Sequence, residues 1–327
     1  MDFTRMNAPL PEGLIQELTV FWEEIFETSY TDFKPIFAGN EIEDNEDTLY
    51  LMREGEDLAG TSHLTVGKAA PRLGGLGEVA TPPAFRRQGI AAQLCETARD
   101  DFCKQGGEAF FLGTGNPAAA RIYYRLGWRK LAGANVMALI VSGKSPEEFL
   151  VDYFREAAGQ ISIVPGTSAQ RIPMIPLIVC PHDWQVLDAN AGIFSTRYTV
   201  QSSCMGLYPK YDALGQQQGG TWFGAQTASG HLIGLATARL DESGESGVCH
   251  VDGFAHHRCL EAWGDLIQAA MDWGADRGAT EWCGTLSVED EDKRSLFESL
   301  GFEVAGEGEA FTLGERQVPS ALLKRSA

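Results

Sequence analysis

The sequence predicts two α/β lobes in tandem, each with a mixed sheet flanked by helices, and three observations support this prediction. The chain has 327 residues, which is about twice the ordinary size of a domain. Two glycine landmarks, Gly60 with Gly234 and Gly127 with Gly301, recur at one offset of 174 positions. Between the landmarks, each half carries one stretch with apolar residues at helical spacing. A duplicated lobe accounts for all three observations.

The first half is predicted to contain an N-terminal helix, a strand–turn–strand unit, a short strand, a second helix and two further strands. These elements are assigned to residues 14–25, 49–61, 77–81, 90–102, 109–112 and 136–141. The apolar stripe of the N-terminal helix indicates core packing and no catalytic role. A third helix is expected to end at the glycine and aromatic of residues 127–128, because glycine commonly closes a helix.

The second half repeats this order. Its predicted strands lie at residues 161–164, 222–225, 232–235 and 280–283, its main helix at 263–271 and its closing helix end at 295–302. The segment 142–146 contains Gly, Ser and Pro and breaks the pattern, so we expect the lobes to divide near residue 145. The predicted domains are therefore 1–145 and 146–327, with residues 146–158 helical.

Composition and charge limit the possible partners. Hydrophobic residues make up 44% of the chain and charged residues 22%, as in ordinary soluble globular proteins. The formal net charge of -19 repels nucleic acid and anionic membrane surfaces, so neither is an expected partner. The same field suits a cationic or neutral acceptor, although a simple role in solubility explains it equally well.

The sequence contains no apolar run of about 18 residues and no signal peptide, so we expect a cytoplasmic protein. The seven cysteines are scattered and never form a C-x-x-C pair, which predicts reduced and mostly buried thiols. Four polar residues are close in sequence but lack the spacing of metal ligands: His250, Asp252, His256 and His257. No metal is therefore expected.

The segment from Glu78 to Ala91 has the order of elements that anion binding requires. A short strand ending at Thr81 is followed by two prolines, and a basic turn from Arg86 to Gly89 leads into a helix. Such a turn presents unpaired backbone N–H groups at the positive end of the helix dipole, where a diphosphate binds. Gly89 allows close approach of the backbone, and the arginines add charge. Alternatively, the turn is an ordinary solvated helix start.

Two motifs in this region resemble those of the GNAT superfamily of acyltransferases. The cofactor loop of that family has the form R/Q-x-x-G-x-G/A, which residues 86–91 match. A second motif, N-x-x-A-x-x-x-Y followed by G-F/W, is matched by Asn116, Ala119, Tyr123, Gly127 and Trp128. The resemblance covers about residues 48–141 well and the second lobe only in outline. It implies a mixed, mostly antiparallel sheet in each lobe.

The resemblance also implies acetyl-CoA, or another acyl-CoA, as the co-substrate. The loop residues expected to bind its diphosphate are Arg86, Arg87, Gln88, Gly89, Ile90 and Ala91. The strand residues expected to pair with its pantetheine arm are Val79, Ala80 and Thr81. Asn116 is similar to a family residue that contacts the cofactor, and it is equally a natural N-cap for the following helix.

Acetyl transfer from a thioester to an amine needs a neutral nucleophile and a proton for the departing thiolate. By similarity to the family, Tyr123 is the candidate acid, with a core role as the alternative. Tyr124 lacks the motif spacing and is expected to be the packing residue. Glu78 is the candidate base, directly or through water, because an amine with a pKa of about 10 is mostly protonated. A one-residue shift in register would turn Glu78 to solvent, and His63 is a second choice with a structural alternative.

The second lobe has the same pattern without the residues for this chemistry. Aligned on Gly107 and Gly278, residues 257–262 correspond to the cofactor loop. A leucine side chain and the negative charge of Glu261 disfavour diphosphate binding there. The three main replacements are Leu260 for Gly89, Phe297 for Tyr123 and Asp290 for Asn116. We therefore expect a non-catalytic lobe that completes the fold and could form one wall of the acceptor pocket.

The leading hypothesis is an N-acetyltransferase that transfers an acetyl group from acetyl-CoA to an amine of a small molecule or peptide by direct attack in a ternary complex. One alternative is transfer of another acyl group, as in proteins resembling mycothiol synthase. The other is a binding or regulatory module that senses acyl-CoA without turnover. The acidic run at residues 41–47 is expected to be a solvated loop, with steering of a cationic acceptor as its alternative. The acceptor and the oligomeric state are left open.

Overall fold

The computed structural model describes residues 1–157, 159–216, 219–241 and 247–327, which form two sheets with helices around them. The strands of the first half are β1 (Asp2–Asn7), β2 (Asn45–Glu54), β3 (Asp57–Gly67), β4 (Ala70–Ala80), β5 (Ala109–Gly113), β6 (Arg129–Lys130) and β7 (Val136–Ile140). The strands of the second half are β8 (Ile161–Pro165), β9 (Val186–Asp188), β10 (Ile193–Phe194), β11 (Gly220–Thr227), β12 (Leu232–Leu240), β13 (Val248–Ala255), β14 (Glu281–Ser287), β15 (Glu303–Leu313) and β16 (Arg316–Ser326).

The helices connect these strands in the order expected of a repeated lobe. They are α1 (Glu12–Phe26), α2 (Lys34–Phe37), α3 (Ile90–Lys104), α4 (Pro117–Leu126), α5 (Pro146–Glu156), α6 (Met174–Val179), α7 (Leu207–Gln216), α8 (Glu261–Ala275) and α9 (Glu291–Ser299). Of the helices described here, none is long and apolar enough to cross a membrane.

The two sheets have the same strand order. The first runs β1-β2-β3-β4-β5-β7-β6 and the second runs β8-β11-β12-β13-β14-β16-β15. Each contains one parallel pair among the described strands, β4 with β5 and β13 with β14, and the other neighbours are antiparallel. This agreement confirms the predicted pair of mixed, mostly antiparallel lobes.

Both faces of the first sheet are covered. Alternate residues of β2 point to opposite sides, as the period of a strand requires. Tyr50 packs in the cluster of α3 and α4, whereas Leu49 and Leu51 pack with Trp22 and Phe37 of α1 and α2. The predicted N-terminal helix is thus confirmed as a packing element.

Helices α1 and α2 cover only part of one face of the first sheet, and the second half of the chain packs on the remainder. Leu73 and Phe111 share one apolar core with the second lobe. A Cβ added to Gly75 would collide with the side chain of Met205, and one added to Gly113 would press on the backbone of Ser203 and Cys204. The segment around residues 203–205 therefore lies directly on β4 and β5 of the first sheet.

Two predicted boundaries differ from the structure. The short strand at residues 77–81 is the end of an 11-residue strand, β4, which stops one residue before Thr81. The prediction missed its first half because glycines interrupt the apolar pattern there. Helix α5 ends at Glu156, and Ala158, the last residue of the predicted helix, lies outside the described residues. The division near residue 145 remains a proposal.

Candidate active site

The cofactor loop predicted from the sequence is a turn between β4 and α3 with two left-handed residues. A short 3-10 turn spans Pro83–Phe85, and Arg86 Nε then donates a hydrogen bond to the Thr81 carbonyl (3.0 Å). Arg87 has φ 64° and Gly89 has φ 84°. Left-handed residues beside a helix start turn successive N–H groups toward one side, which creates an anion-binding concavity. The side chains of Arg87 and Gln88 are exposed around it.

The first backbone N–H groups of α3 have no acceptor among the described residues. Gly89 is its N-cap and offers no side-chain hydrogen bond, and the first backbone bond of the helix is from Gln93 N to the Gly89 carbonyl (3.0 Å). Within the described part of the chain, no hydrogen bond is donated by the N–H groups of residues 89–92. By contrast, α4 and α5 are capped by Asn116 and Ser145. The start of α3 is therefore free to bind an anion.

Beside this turn, the end of β4 has a free edge. Strand β5 pairs with β4 only from Leu73 to Leu76, so residues 77–80 have no partner strand on that side in the described structure. Val79, Ala80 and Thr81, the residues expected to pair with a pantetheine arm, lie along or just beyond this edge. The hydroxyl oxygen of Thr81 is buried and has no hydrogen-bond partner among the described residues.

A β-bulge positions Glu78. Thr61 pairs with Ala80 and His63 with Gly77, so Glu78 and Val79 together lie opposite a single residue of β3. Glu78 takes a left-handed φ of 48°. Its side chain is 4% exposed, so it faces the interior and not the solvent. The regular strand alternation on which the sequence interpretation relied does not apply at this residue.

Glu78 is hydrogen-bonded to a fully buried histidine. Glu78 Oε2 lies 2.7 Å from His63 Nδ1, and His63 Nε2 lies 2.8 Å from Asp47 Oδ1. Asp47 Oδ1 also accepts from Thr65 Oγ1 (2.7 Å). Asp47 is buried, so the expectation of a solvated acidic loop is wrong at this end of the run. The run continues into β2, where the side chain of residue 47 points inward.

The two carboxylates keep the imidazole charged. Burial by itself lowers the pKa of His63, but its hydrogen bonds to Asp47 and Glu78 outweigh burial and raise that pKa to about 9. Burial likewise raises the pKa of Asp47, but the nearby Arg171 guanidinium and His63 lower it to about 2. Near neutral pH, His63 is therefore an imidazolium that donates to both carboxylates.

Tyr123 lies on the inner face of α4 and is 5% exposed. Burial raises the pKa of its phenol, and the thiols of Cys95 and Cys204 add to the rise. The phenol therefore stays protonated and able to donate. Tyr124 is not the packing residue that we expected, because it is 59% exposed and lies under the guanidinium of Arg129, 4.1 Å from the ring centre. The helix turns residue 123 inward and residue 124 outward.

Asn116 has the capping role that was one of its two predicted roles. Its Oδ1 accepts from the backbone N–H of Ala118 (2.9 Å) and Ala119 (3.5 Å) at the start of α4. This capping leaves its contact with a cofactor as a prediction.

Two residues that bear on the site carried no usable signal in the sequence. Arg171 reaches Asp47 across 124 positions of sequence. Cys204 contributes to the raised pKa of Tyr123, and Glu78 contributes to the raised pKa of Cys204 after burial, the main cause. The segment carrying Cys204 lies on the ends of β4 and β5, where a lone cysteine in a loop gave no pattern to detect.

The corresponding turn of the second lobe differs at the backbone level. Helix α8 begins at Glu261, and the N–H groups of Ala262 and Trp263 donate to the carbonyls of Cys259 and Leu260 (3.1 Å each). Leu260 has an ordinary helical φ of -63°. Strand β13 pairs with β12 without a register shift, so it lacks the bulge of β4. Two of the N–H groups at the start of α8 are therefore already hydrogen-bonded within the protein, unlike their counterparts at the start of α3.

The gap between the parallel strands of the second lobe is filled by its own chain. Asp290 Oδ1 accepts from Gln185 N (2.8 Å). Lys293 Nζ donates to the carbonyls of Val186 (3.1 Å) and Leu187 (3.0 Å) and lies 2.5 Å from Asp252 of β13. Residues 185–188 thus run between β13 and the start of α9. Asp290 and Lys293 stand where the first lobe has Asn116 and Ala119.

Three further expectations from the sequence concern the counterpart of Tyr123, the cysteines and the metal ligands. Phe297, in place of Tyr123, is fully buried against Phe302. Six of the seven cysteines are buried, as predicted, and Cys103 is half-buried. Across the described ranges, no three His, Cys, Asp or Glu side chains come together as metal ligands do. The absence of a metal stays a prediction.

The first lobe thus places an uncapped helix start beside a free strand edge, and a comparison with protein families matches the same region. Residues 12–128 match the Acetyltransferase (GNAT) family. This match confirms, for the first lobe, the resemblance to the GNAT family seen in the sequence. GNAT domains use acetyl-CoA. No curated protein matches the chain.

Solved structures with some similarity come from several bacteria. An acetyltransferase of the GNAT family from Streptococcus pneumoniae is 12% identical, covers 51% of this chain and 100% of its own, and has a TM-score of 0.40. A chimeric spermidine N-acetyltransferase from Vibrio cholerae is 16% identical, with 51% and 96% covered and a TM-score of 0.41. The ribosomal-protein-S5-alanine acetyltransferase of Vibrio fischeri is 11% identical, with 52% and 94% covered and a TM-score of 0.41.

Proposed function

We propose that the protein is an N-acetyltransferase that transfers an acetyl group from acetyl-CoA to an amine, with one active site in the first lobe. The observation that carries this proposal is the uncapped start of α3, whose free N–H groups adjoin the free edge of β4. Together they offer a diphosphate site and a strand partner within one short stretch of chain. The acceptor is a small-molecule amine or a peptide.

The residues present fit the co-substrate. The N–H groups of residues 89–92 would bind the diphosphate, with Arg86, Arg87 and Gln88 at the rim. Val79, Ala80 and Thr81 would pair with the amide groups of the pantetheine arm. Asn116 would contact the cofactor from the start of α4, in addition to capping it.

Two buried groups fit the proton transfers of the reaction. Glu78 accepts a proton from the ammonium acceptor, directly or through water, and the freed amine attacks the thioester carbonyl. The C–S bond then breaks, Tyr123 gives its proton to the departing thiolate, and the proton that the nitrogen loses on forming the amide returns the phenolate to the phenol. Tyr123 has the charge state that its role requires, because burial raises the pKa of the phenol and keeps it neutral.

Direct attack in a ternary complex is favoured over a covalent enzyme intermediate. A cysteine would have to be ionised to take the acetyl group. Burial raises the pKa of Cys95 and Cys204, the two thiols that contribute to the raised pKa of Tyr123, to about 12. Both therefore stay protonated and weakly nucleophilic near neutral pH.

The proposal is tested by measuring release of free CoA thiol from acetyl-CoA with a panel of small amines, polyamines and peptides, alongside calorimetric binding of acetyl-CoA. We expect binding and amine-dependent thiol release. Binding without turnover on any amine would favour the regulatory module, and faster release from a longer acyl-CoA would favour transfer of another acyl group. No binding at millimolar acetyl-CoA would rule out the proposal.

A further inference from the structure

A chain of buried charges extends from the candidate base to the second half of the protein. Beyond Glu78, His63 and Asp47, Arg171 Nη1 lies 3.3 Å from Asp47 Oδ1 and donates to Glu41 Oε2 (2.9 Å). Arg171 follows β8 in the sequence, and its side chain is 2% exposed. The chain of contacts therefore crosses β4, β3 and β2 and ends on an element of the other lobe.

We infer that Arg171 is a positioning residue for the Glu78 carboxylate, so that the second half of the chain completes the active site of the first. This inference rests on the proposed function, in which Glu78 is the base. Arg171 acts through Asp47 and His63 and touches neither substrate.

The contacts fix every group between Arg171 and Glu78. Both ring nitrogens of His63 are hydrogen-bonded, so its ring cannot turn without losing two charged contacts. Asp47 Oδ1 receives contacts from His63, Thr65 and Arg171 together. One oxygen of Glu78, Oε2, is held by His63, and the other has no hydrogen bond within the described residues. That second oxygen is available to the acceptor nitrogen.

The turn that carries Arg171 is itself bound to the first lobe. Ser168 Oγ donates to Asp44 Oδ2 (2.6 Å), and Asn45 Nδ2 donates to the Ser168 carbonyl (3.0 Å). The neighbouring Ile172 packs over Gly75 of β4. These contacts hold the guanidinium in place without relying on its own ion pairs.

Arg171 also sets the charge of the cluster. With His63 protonated, three carboxylates and two cations leave a net charge of -1, and removal of Arg171 would leave -2. A more negative cluster takes up protons more readily. The other ionisable groups that face it are Tyr30, Tyr208 and Cys204. Burial raises the pKa of each, so they stay neutral and do not compensate for the lost cation.

The test measures kcat/KM for acetyl-CoA and the best amine between about pH 5 and 9. For Arg171→Met we expect the acid limb to move to higher pH by about one unit and kcat to fall by about tenfold. Arg171→Lys keeps the positive charge, so we expect the acid limb of this variant to lie close to that of the wild-type protein. Glu41→Gln removes a negative charge from the same cluster, so its acid limb should move to lower pH. Calorimetric affinity for acetyl-CoA should be unchanged in all three.

Arg197→Met is the matched control, because Arg197 is an exposed arginine of the same half. An unchanged pH profile in folded Arg171→Met, or a shift of Glu41→Gln in the same direction, would overturn the inference. If Arg171→Met does not fold, the sign of the Glu41→Gln shift decides. Absence of turnover in the wild-type protein would instead remove the proposed function, and the inference with it.

Discussion

The two lobes share one strand order and differ in what occupies the gap where their parallel strands diverge. In the first lobe, the edge of β4 beyond Leu76 is free, and the N–H groups that open α3 have no acceptor among the described residues. In the second, residues 185–188 fill the equivalent gap and are held by Asp290 and Lys293. The same fold therefore leaves this gap open in one copy and fills it with its own chain in the other.

Three local differences separate the copies. The first lobe has a bulge at Glu78, which the second lacks because β13 pairs in continuous register. Gly89 has a left-handed φ, whereas Leu260 is helical. Thr237 of the second lobe stands at the position of His63. Its hydroxyl donates a hydrogen bond to Asp188, whereas His63 is hydrogen-bonded to Glu78 and Asp47. The two copies thus differ in backbone conformation as well as in side chains.

The largest effect is expected from substitution of Tyr123, because its counterpart in the second lobe, Phe297, has no proton to give. Tyr123→Phe should lower kcat by roughly 10²-fold or more, the usual contribution of a general acid, with the affinity for acetyl-CoA nearly unchanged. Steady-state kinetics and calorimetry measure the two effects. Tyr124→Phe is the matched control and should leave both unchanged. Full turnover in Tyr123→Phe would mean that Tyr123 is not the acid.

The buried contacts of His63 with Glu78 and Asp47 in the first lobe should make stability depend on pH. The pKa of His63 is raised from an ordinary value of about 6.5 to about 9. Its stabilisation is therefore fully present below about pH 6.5 and is lost as pH rises through about 9. Urea unfolding should show a loss of roughly 2–3 kcal/mol over this range, because one pKa unit corresponds to about 1.4 kcal/mol.

The His63→Asn variant should lose this pH dependence, whereas substitution of the exposed His257 should retain it. A wild-type stability that stays constant from pH 6.5 to 9 would contradict the charged state assigned to His63. At the acid end, the contribution of Asp47 should disappear as pH falls through about 2, because its pKa is lowered.

A smaller effect is expected from copying the leucine of the second lobe into the first. Gly89→Leu should weaken acetyl-CoA binding by about 10- to 100-fold, because a side chain at φ 84° strains the turn and obstructs the N–H groups. Gly106→Leu is the matched control, because Gly106 has the same φ of 84° with open space around it. It should cost similar stability without changing affinity. Equal losses of affinity in both variants would show that strain alone is responsible.

The reverse change should have no effect on binding. Leu260→Gly leaves residues 185–188 in the gap, so calorimetry should still find one acetyl-CoA per chain. A second binding site in this variant would mean that the filled gap does not exclude the cofactor.

The sequence was enough to predict the duplicated lobe and the turn that leads into α3, because each depends on local pattern. Apolar periodicity located α1, α3 and α8, and the choice of Tyr123 over its neighbour as the acid stays a prediction. It did not predict the exposure of Tyr124, since two adjacent aromatics on a helix carry no signal for which one faces the core.

The remainder of the site depends on contacts that are distant in sequence. The bulge at Glu78 is a matter of pairing register, which a strand pattern does not specify. Arg171 reaches Asp47 across 124 positions, and residues 185–188 fill a gap formed by strands of another segment. Local propensity holds no information about either arrangement.

The central claim is that the first lobe binds CoA and that residues 185–188 exclude CoA from the second. The most direct test is a crystal structure of the protein with CoA. We expect density for the diphosphate at the N–H groups of residues 89–92, with the arm along Val79–Thr81 and residues 185–188 unchanged. Density for the diphosphate at the start of α8, or displacement of residues 185–188 by the arm, would contradict this account.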